Sequence, residues 1–266
     1  MNTRQLAKRS PFGPALKRAH RWYSRCPTSV EVDGFQVLIP RRDVKRYASG
    51  FEQLTTAWLP TVLKPGMSAV DVGAAIGMFS LVMCRLVGPE GRVTALEPSP
   101  TSVKLLERNA RRNNAHFEVV AAAASSEDWV RPFFLTDSSD CHAFFPHPLI
   151  APSSQVDIHT VRLDSVVEAA DFIKIDVEGA EIDVLEGAAR LIASRPALVV
   201  EWVPSCQLAA GRDPGELPAW LSRAGYRFQV FDEFNHAVTP VKEVFRALEL
   251  GTLPLEWYAN LCCESA

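Results

Sequence analysis

The sequence predicts an α/β protein, a mostly parallel sheet with helices on both faces. Three observations predict it. Short apolar runs with strand character alternate with helical segments through the centre of the chain. A glycine turn follows the first of these runs, where such folds bring ligand and backbone together. The 266 residues are 47% hydrophobic, which supplies the core of one elaborated domain.

Taken in order, residues 1–50 read as an N-terminal extension and residues 51–266 as the domain. Within 1–28, Pro11, Gly13, Pro14 and Pro27 leave room only for a short helix at Ala15–Tyr23. Val30–Ile39 alternates and reads as a hairpin around Asp33-Gly34. Phe51, Leu54, Trp58, Leu59 and Val62 fall at helical spacing, and the helix stops before Lys64-Pro65-Gly66. Ser68–Gly73 is the first central strand, and Ile76–Val87 its apolar helix. Arg92–Glu97 is the second strand, followed by a helix over Pro98–Asn113 with Leu105 and Leu106 inward. His116–Ala124 is the third. Asp171–Val177 is the fourth strand, with a helix over Ala180–Ala193, and Ala197–Val203 is the fifth. Leu217–Ala224 is helical, Tyr226–Phe231 a strand and Glu256–Cys262 a last strand.

Ser125–Thr160 breaks the alternation. It holds Pro132, Pro146, Pro148 and Pro152 and only short β-prone pieces at Phe133–Leu135 and Val156–Val161. A connection of this length reads as an insertion, at about 125–160, that shapes a binding site. Asp164 reads as the N-cap of a helix at Ser165–Ala170.

Composition excludes several classes. With 22% charged residues, 14 Gly and 19 Pro, the chain is neither collagen-like nor wholly disordered. No apolar run approaches the roughly 18 residues of a membrane span. The net charge of −3 gives no reason to expect nucleic acid. That total hides an asymmetry, because residues 1–25 carry seven bases and no acid. The body keeps 21 of the 28 bases against all 31 acids. The basic arm reads as solvated or packed on the domain, or as a dock for an acidic acceptor, a carrier protein or an anionic membrane surface. Six scattered cysteines without CxxC spacing indicate neither zinc nor a disulfide framework, and a reduced cytoplasmic protein is expected.

The sharpest motif is Asp71-Val72-Gly73-Ala74-Ala75-Ile76-Gly77, between the first strand and its helix. A dinucleotide fingerprint would place a glycine where Ala75 stands, so the pattern favours a nucleoside without a pyrophosphate. Glu97 ends the second strand, where a carboxylate can take both ribose hydroxyls. Asp71 is placed to meet a cationic amino-acid moiety.

VDVGAAIGMFS, GRVTALEPSP, LLERNARRNN, FIKIDVEGAEIDVLEGA and PALVVEW together resemble the FkbM family of class I S-adenosylmethionine-dependent methyltransferases. The likeness runs from about Gly50 to Trp202. Ala75 departs from it, since the family usually has Asn there. The resemblance implies a seven-stranded Rossmann-like sheet with a reversed last strand. It implies S-adenosyl-L-methionine as cofactor and methyl transfer to oxygen, commonly a hydroxyl of a sugar or secondary metabolite. It places Gly73, Ala74 and Gly77 along the cofactor's methionine and ribose, and Glu97 on the ribose. Ser99 then caps the next helix, and Ala123, within Ala122–Ala124, borders the adenine.

A second acidic cluster follows. The run Phe172–Ile175 delivers Asp176 to the carboxyl end of the fourth strand, the edge where open α/β sheets bind ligands. A hydroxyl acceptor needs a group that takes its proton. Asp176 is the first candidate, with His142 and His147 of the insertion next. Glu178 and Glu201 are candidates to orient the acceptor, while Glu178 and Glu181 also suit a helix start. Asp176, Glu178, Glu201 and a histidine would make an oxygen-rich site for magnesium, but no spacing requires it and no metal is expected. A small-molecule or saccharide acceptor is expected, with carboxyl or nitrogen acceptors left open, and a homodimer is compatible with the sequence. A nicotinamide-dependent dehydrogenase and a non-catalytic cofactor-binding subunit are the competing readings.

Overall fold

The computed structural model describes residues 23–47, 50–138 and 141–265. The helix expected at Ala15–Tyr23 lies, except for Tyr23, outside the described residues, as does nearly all of the basic arm.

The chain opens with strands β1 (Pro27–Val32) and β2 (Phe35–Pro40), the expected hairpin. Asp33 and Gly34 both have positive φ, as a two-residue turn matching the strand twist requires. Helices α1 (Val44–Tyr47) and α2 (Gln53–Val62) follow. Then come β3 (Ser68–Val72), α3 (Met78–Val87), β4 (Arg92–Leu96), α4 (Pro100–Arg112) and β5 (Glu118–Val120). The insertion supplies β6 (Ala123–Ala124), β7 (Trp129–Leu135) and β8 (Ser154–Val161). After α5 (Leu163–Val166) come β9 (Phe172–Ile175), α6 (Glu181–Gly187), α7 (Ala189–Ala193) and β10 (Ala197–Trp202). The chain ends with α8 (Pro204–Ala209), α9 (Glu216–Arg223), β11 (Tyr226–Asp232), β12 (Ala237–Thr239), α10 (Val241–Glu249) and β13 (Ala259–Ser265).

The main sheet runs β12-β11-β13-β10-β9-β3-β4-β5. Neighbours from β10 to β5 are parallel, and β13 runs against both β10 and β11. This is the mostly parallel Rossmann-like sheet with a reversed strand near one edge. It has eight strands rather than seven, because β12 folds back on β11 as an edge hairpin. Buried strands such as β9 and β10 read as apolar runs because helices cover both faces. After β3 the chain adds β4 and β5 on one side, then returns to place β9 on the other. The carboxyl ends of β3 and β9 therefore flank the topological switch point, the ligand crevice of such sheets.

The expected third strand is broken. The Ala122 N–H bonds back to the Val120 carbonyl, so the chain turns out of the main sheet after β5. β6 joins a second sheet ordered β6-β8-β7. The insertion is thus built around an antiparallel pair, with Phe133, Phe144, Ile158 and Ala123 packed into a core of their own. The expected helix over Ala180–Ala193 is also split. Asp164 is the reason the second piece can start afresh: its carboxylate accepts the N–H groups of Arg190 and Leu191, capping α7 rather than its own helix.

The hairpin is part of the domain rather than an appendage. Val32, Phe35, Val37 and Ile39 enter the core cluster that holds α3 and Leu59 of α2. Asn109 of α4 accepts the Leu38 N–H and donates to the Leu38 and Ile76 carbonyls. Asn113 makes the same paired contact with Gln36. Two amide side chains therefore satisfy the outer edge of β2, which would otherwise be open.

Candidate active site at the switch point

Two cavities meet at Gly73, Ala75 and Asp176. The outer one, about 470 Å³ including its mouth, is walled by Leu96, Pro98, Ala122–Ala124, Phe133 and Phe144, with Glu97 and His142 as its polar groups beside Asp176. The inner one, about 410 Å³, is walled by Tyr47, Phe51 and Phe79 and carries Glu52, Asp71, Asp176, Glu178 and Glu201 against Arg46 and Lys174. A largely apolar slot with Glu97 in its wall and Asp176 at its inner end suits the sugar and base of a nucleoside. An acid-rich chamber fits a cationic tail.

The loop between β3 and α3 makes the junction. The Gly73 and Ala74 N–H groups both bond to the Leu96 carbonyl, which folds the loop against β4. Gly73 has φ +82°, and a Cβ there would stand 1.8 Å from the Asp176 carbonyl oxygen. Ala74 is buried and lines the inner cavity. Ala75 has φ +48°, a left-handed conformation in a residue with a Cβ. Gly77, also at positive φ, is not among the residues lining either cavity; its Cα faces Leu106, where a Cβ would come within 2.5 Å.

Glu97 is buried and accepts the Ala75 N–H (2.8 Å) and the Ser99 N–H (2.7 Å), one on each oxygen. Burial pushes its carboxyl up to about 7 against those two bonds. Ser99 caps α4 through its hydroxyl to the Ser102 N–H. Ala123 is buried in β6 against the outer cavity.

Asp71 and Lys174 stand opposite each other in the β3–β9 pairing, and both are buried. Asp71 accepts the Ser80 hydroxyl, and burial raises its carboxyl against the pull of Lys174. Lys174 Nζ reaches Asp176 Oδ2 at 2.7 Å and sits 4.3 Å above the Phe79 ring. Burial alone would lower the Lys174 ammonium, but Asp176, Glu52, Asp71 and Glu201 around it raise it. In Asp176 the order reverses: burial raises its carboxyl, and Lys174 with its other partners brings it below its ordinary value. Lys174 thus favours the ionised form of Asp176. Burial, then the nearby Asp176 and Glu178, hold the Glu201 carboxyl well above its ordinary value.

Glu178 faces the insertion. It has φ +55°, accepts the Cys206 thiol, and lies 3.8 Å from His147 Nε2. His147 Nδ1 accepts the Leu149 and Ile150 N–H groups, so its proton sits on Nε2, toward Glu178. His142 lines the outer cavity, and its Nδ1 accepts the Thr136 N–H. Each neutral histidine thus has Nδ1 engaged as an acceptor and carries its proton on Nε2. Glu181 accepts the Gly179 N–H and serves the loop before α6.

The structure brings Asp71, Gly73, Ala74, Glu97, Ala123, Asp176, Glu178, Glu201 and His142 around the two cavities, with His147 behind Glu178. It adds Glu52, Arg46 and Lys174. Glu52 carried no signal in the sequence; its φ of 38° and its bond from Asn260 turn it inward. The whole-chain charge also proves a poor local guide. A depression beside Ser99 is lined by Arg25, Arg42, Lys104 and Arg108, and whole-chain charge alone gives no ground for excluding an anionic partner there.

This sheet order, with a glycine turn after β3 and an acid at the end of β4, defines a Rossmann-like methyltransferase fold. Residues 71–228 match the methyltransferase FkbM domain, and the chain belongs to that family of S-adenosylmethionine-dependent methyltransferases. Methyltransferase sdnD of Sordaria araneosa is 28% identical over 51% of this chain and 66% of its own length. Hexuronic acid methyltransferase AglP of Haloferax volcanii is 27% identical over 58% of this chain and 61% of its own. 31-O-demethyl-FK506 methyltransferase FkbM of Streptomyces tacrolimicus is 30% identical over 47% of this chain and 60% of its own. The matches thus span less than two thirds of these relatives. The Pyrococcus abyssi tRNA (uracil-54, C5)-methyltransferase, solved with S-adenosyl-L-homocysteine, shares the fold, with a TM-score of 0.51 at 11% identity over 90% of this chain and 44% of that one. No helix among the described residues is long and apolar enough to cross a membrane.

Proposed function

We propose that this protein methylates a hydroxyl oxygen of a small molecule or saccharide, using S-adenosyl-L-methionine. The observation that carries the reading is the junction of a largely apolar slot bearing Glu97 and an acid-rich chamber at Gly73 and Asp176. When bound, the cofactor supplies an electrophilic methyl on a sulfonium, taken by the acceptor oxygen as the carbon–sulfur bond breaks. Glu97 holds the ribose hydroxyls, and Ala122–Ala124 border the adenine without an acidic contact. Gly73 lets the cofactor lie against the backbone. The excess of carboxylates in the inner cavity favours a cationic amino-acid tail. Asp176 reaches both cavities in its ionised form and takes the hydroxyl proton as the methyl moves. Position and orientation supply much of the rate in such a displacement. The two histidines are less suited to this step, since the Nδ1 of each already accepts backbone N–H groups of its own loop.

The acceptor class follows the relatives. One is named for a hexuronic acid and another for an oxygen of FK506. Arg46 and Tyr47, before the matched region, and Phe133, His142 and Phe144 of the insertion line the cavities and shape the acceptor entrance. Six free thiols support a reduced, cytoplasmic setting. S-adenosyl-L-homocysteine is expected to raise the melting temperature, and Glu97→Ala to remove most of that rise. Labelled cofactor with a pool of sugars and hydroxylated metabolites then identifies the product by mass. No thermal shift at millimolar S-adenosyl-L-homocysteine rejects the reading.

A further inference from the structure

We propose that the depression beside Ser99 binds the phosphate group of a small molecule, through Arg42, Lys104 and Arg108. It holds about 990 Å³ including its mouth and shares only His142 with the outer cavity. Three separate segments wall it. The hairpin and its flank bring Arg25 and Arg42, α4 brings Lys104 and Arg108, and the insertion brings Thr136. Four bases and seven hydroxyl side chains line it, and no acid among the described residues does. The chain as a whole has more acids than bases, 31 against 28, so this hollow runs against its surroundings.

A group of surface bases alone is a solvated face, and the partners of these bases distinguish the two cases. Arg25 is paired with Asp137. Lys104 and Arg108 have no ion-pair partner among the described residues. They stand one turn apart on the same face of α4, where like charges repel until an anion lies between them. Arg42 Nε is buried without a hydrogen-bond partner among the described residues, and its ion pair with Asp43 stays at 3.7 Å. A buried donor left bare is costly until a partner arrives. The basic arm is no such partner, since residues 1–25 hold no acid. Phosphate suits this set, because its charge meets three bases and its oxygens accept from guanidinium and hydroxyl donors.

The phosphate is carried by the acceptor, reaching the methyl site past His142, or by a separate ligand. The first placement rests on the methyl-transfer reading; the anion site does not. Purified full-length protein is titrated calorimetrically with inorganic pyrophosphate, with and without S-adenosyl-L-homocysteine. One pyrophosphate per chain is expected, bound more weakly as salt is raised. The double variant Lys104→Ala, Arg108→Ala should weaken it by about tenfold or more. Both positions are exposed, and the melting temperature of the ligand-free variant should stay level or rise, because the pair repels. Arg227→Ala with Lys242→Ala, at exposed positions outside the depression, should leave binding unchanged. In the methylation assay, a higher KM for phosphorylated sugars alone in the first double variant, with kcat kept, assigns the phosphate to the acceptor. A change in turnover of unphosphorylated acceptors on adding pyrophosphate assigns it to a separate ligand. Pyrophosphate binding with no methylation of any acceptor removes the proposed reaction and keeps the site. No binding of pyrophosphate at millimolar concentration overturns the proposal, as does equal weakening in both double variants. Tighter binding of a short single-stranded RNA through Lys104 and Arg108 overturns it too, since the hollow is then part of a nucleic-acid surface.

Discussion

The Cα of Gly73 approaches the backbone of Asp176 so closely that a Cβ would stand 1.8 Å from the Asp176 carbonyl oxygen. Two motifs about a hundred residues apart in sequence are thus locked backbone to backbone at the switch point. Gly73→Ala would need a shift of β3 or β9 and would hold alanine at φ +82°. The expected loss is about 2–5 kcal/mol, combining left-handed strain with overpacking. Urea denaturation measures it. A loss under about 1 kcal/mol would mean the two strand ends are free to separate.

Ala75 carries a smaller strain of the same kind, at φ +48°. Asn tolerates this region because its short polar side chain bonds locally. Ala75→Asn should therefore stabilise the protein by roughly 0.5–1 kcal/mol. The urea midpoint should rise with an unchanged slope. A lower midpoint would show that the backbone here gains nothing from a residue suited to positive φ.

Much of this site was legible because strand ends announce themselves. Glu97 and Asp176 each close an apolar run, and a parallel strand buried on both faces has few reasons to end on an acid; Asp71 interrupts one just before its end. Glu52 was not legible, since an acid beside a helix start usually serves the helix. Only its φ of 38° and the approach of Asn260 turn it inward. The eighth strand was hidden because β12 is three residues long and joins by a local hairpin. The break at Ala122 was hidden because the apolar run Val119–Ala124 continues through it while the hydrogen-bond partner changes sheets. Asp164 reads as the cap of its own helix but lies inside α5, and spacing cannot reveal that the helix it caps lies about 25 residues onward.

Asn109 joins hairpin to domain through both groups of Leu38 and the Ile76 carbonyl, and is fully buried. Asn109→Ala leaves the Leu38 N–H, the Leu38 carbonyl and the Ile76 carbonyl short of a partner. The expected cost is about 2–4 kcal/mol, several times that of an ordinary exposed bond. Hydrogen exchange at Leu38 should speed up more than exchange at Val70 in β3. Equal acceleration at both would mean the hairpin and sheet open as one unit rather than through this contact.

Glu97 makes stability and cofactor binding respond to pH with opposite signs. Burial raises its folded-state carboxyl to about 7 from an unfolded value near 4.5. Between those values the folded state holds more proton than the unfolded state. The Glu97 contribution to the stability of the cofactor-free protein is therefore fully present below about 4.5 and falls as pH rises toward 7. In the proposed ribose contact the hydroxyls would donate to the ionised carboxylate, so the affinity for S-adenosyl-L-homocysteine should rise over the same approach to pH 7 and level off above it. Asp71 and Asp176 add to the upward shift, while the Ala75 and Ser99 N–H groups oppose it. Calorimetric titration from pH 5.5 to 8.5, run on wild type and Glu97→Gln, isolates this group. The variant cannot ionise and should bind more weakly, with a flatter pH profile. A wild-type affinity independent of pH across that range would remove Glu97 from the ribose.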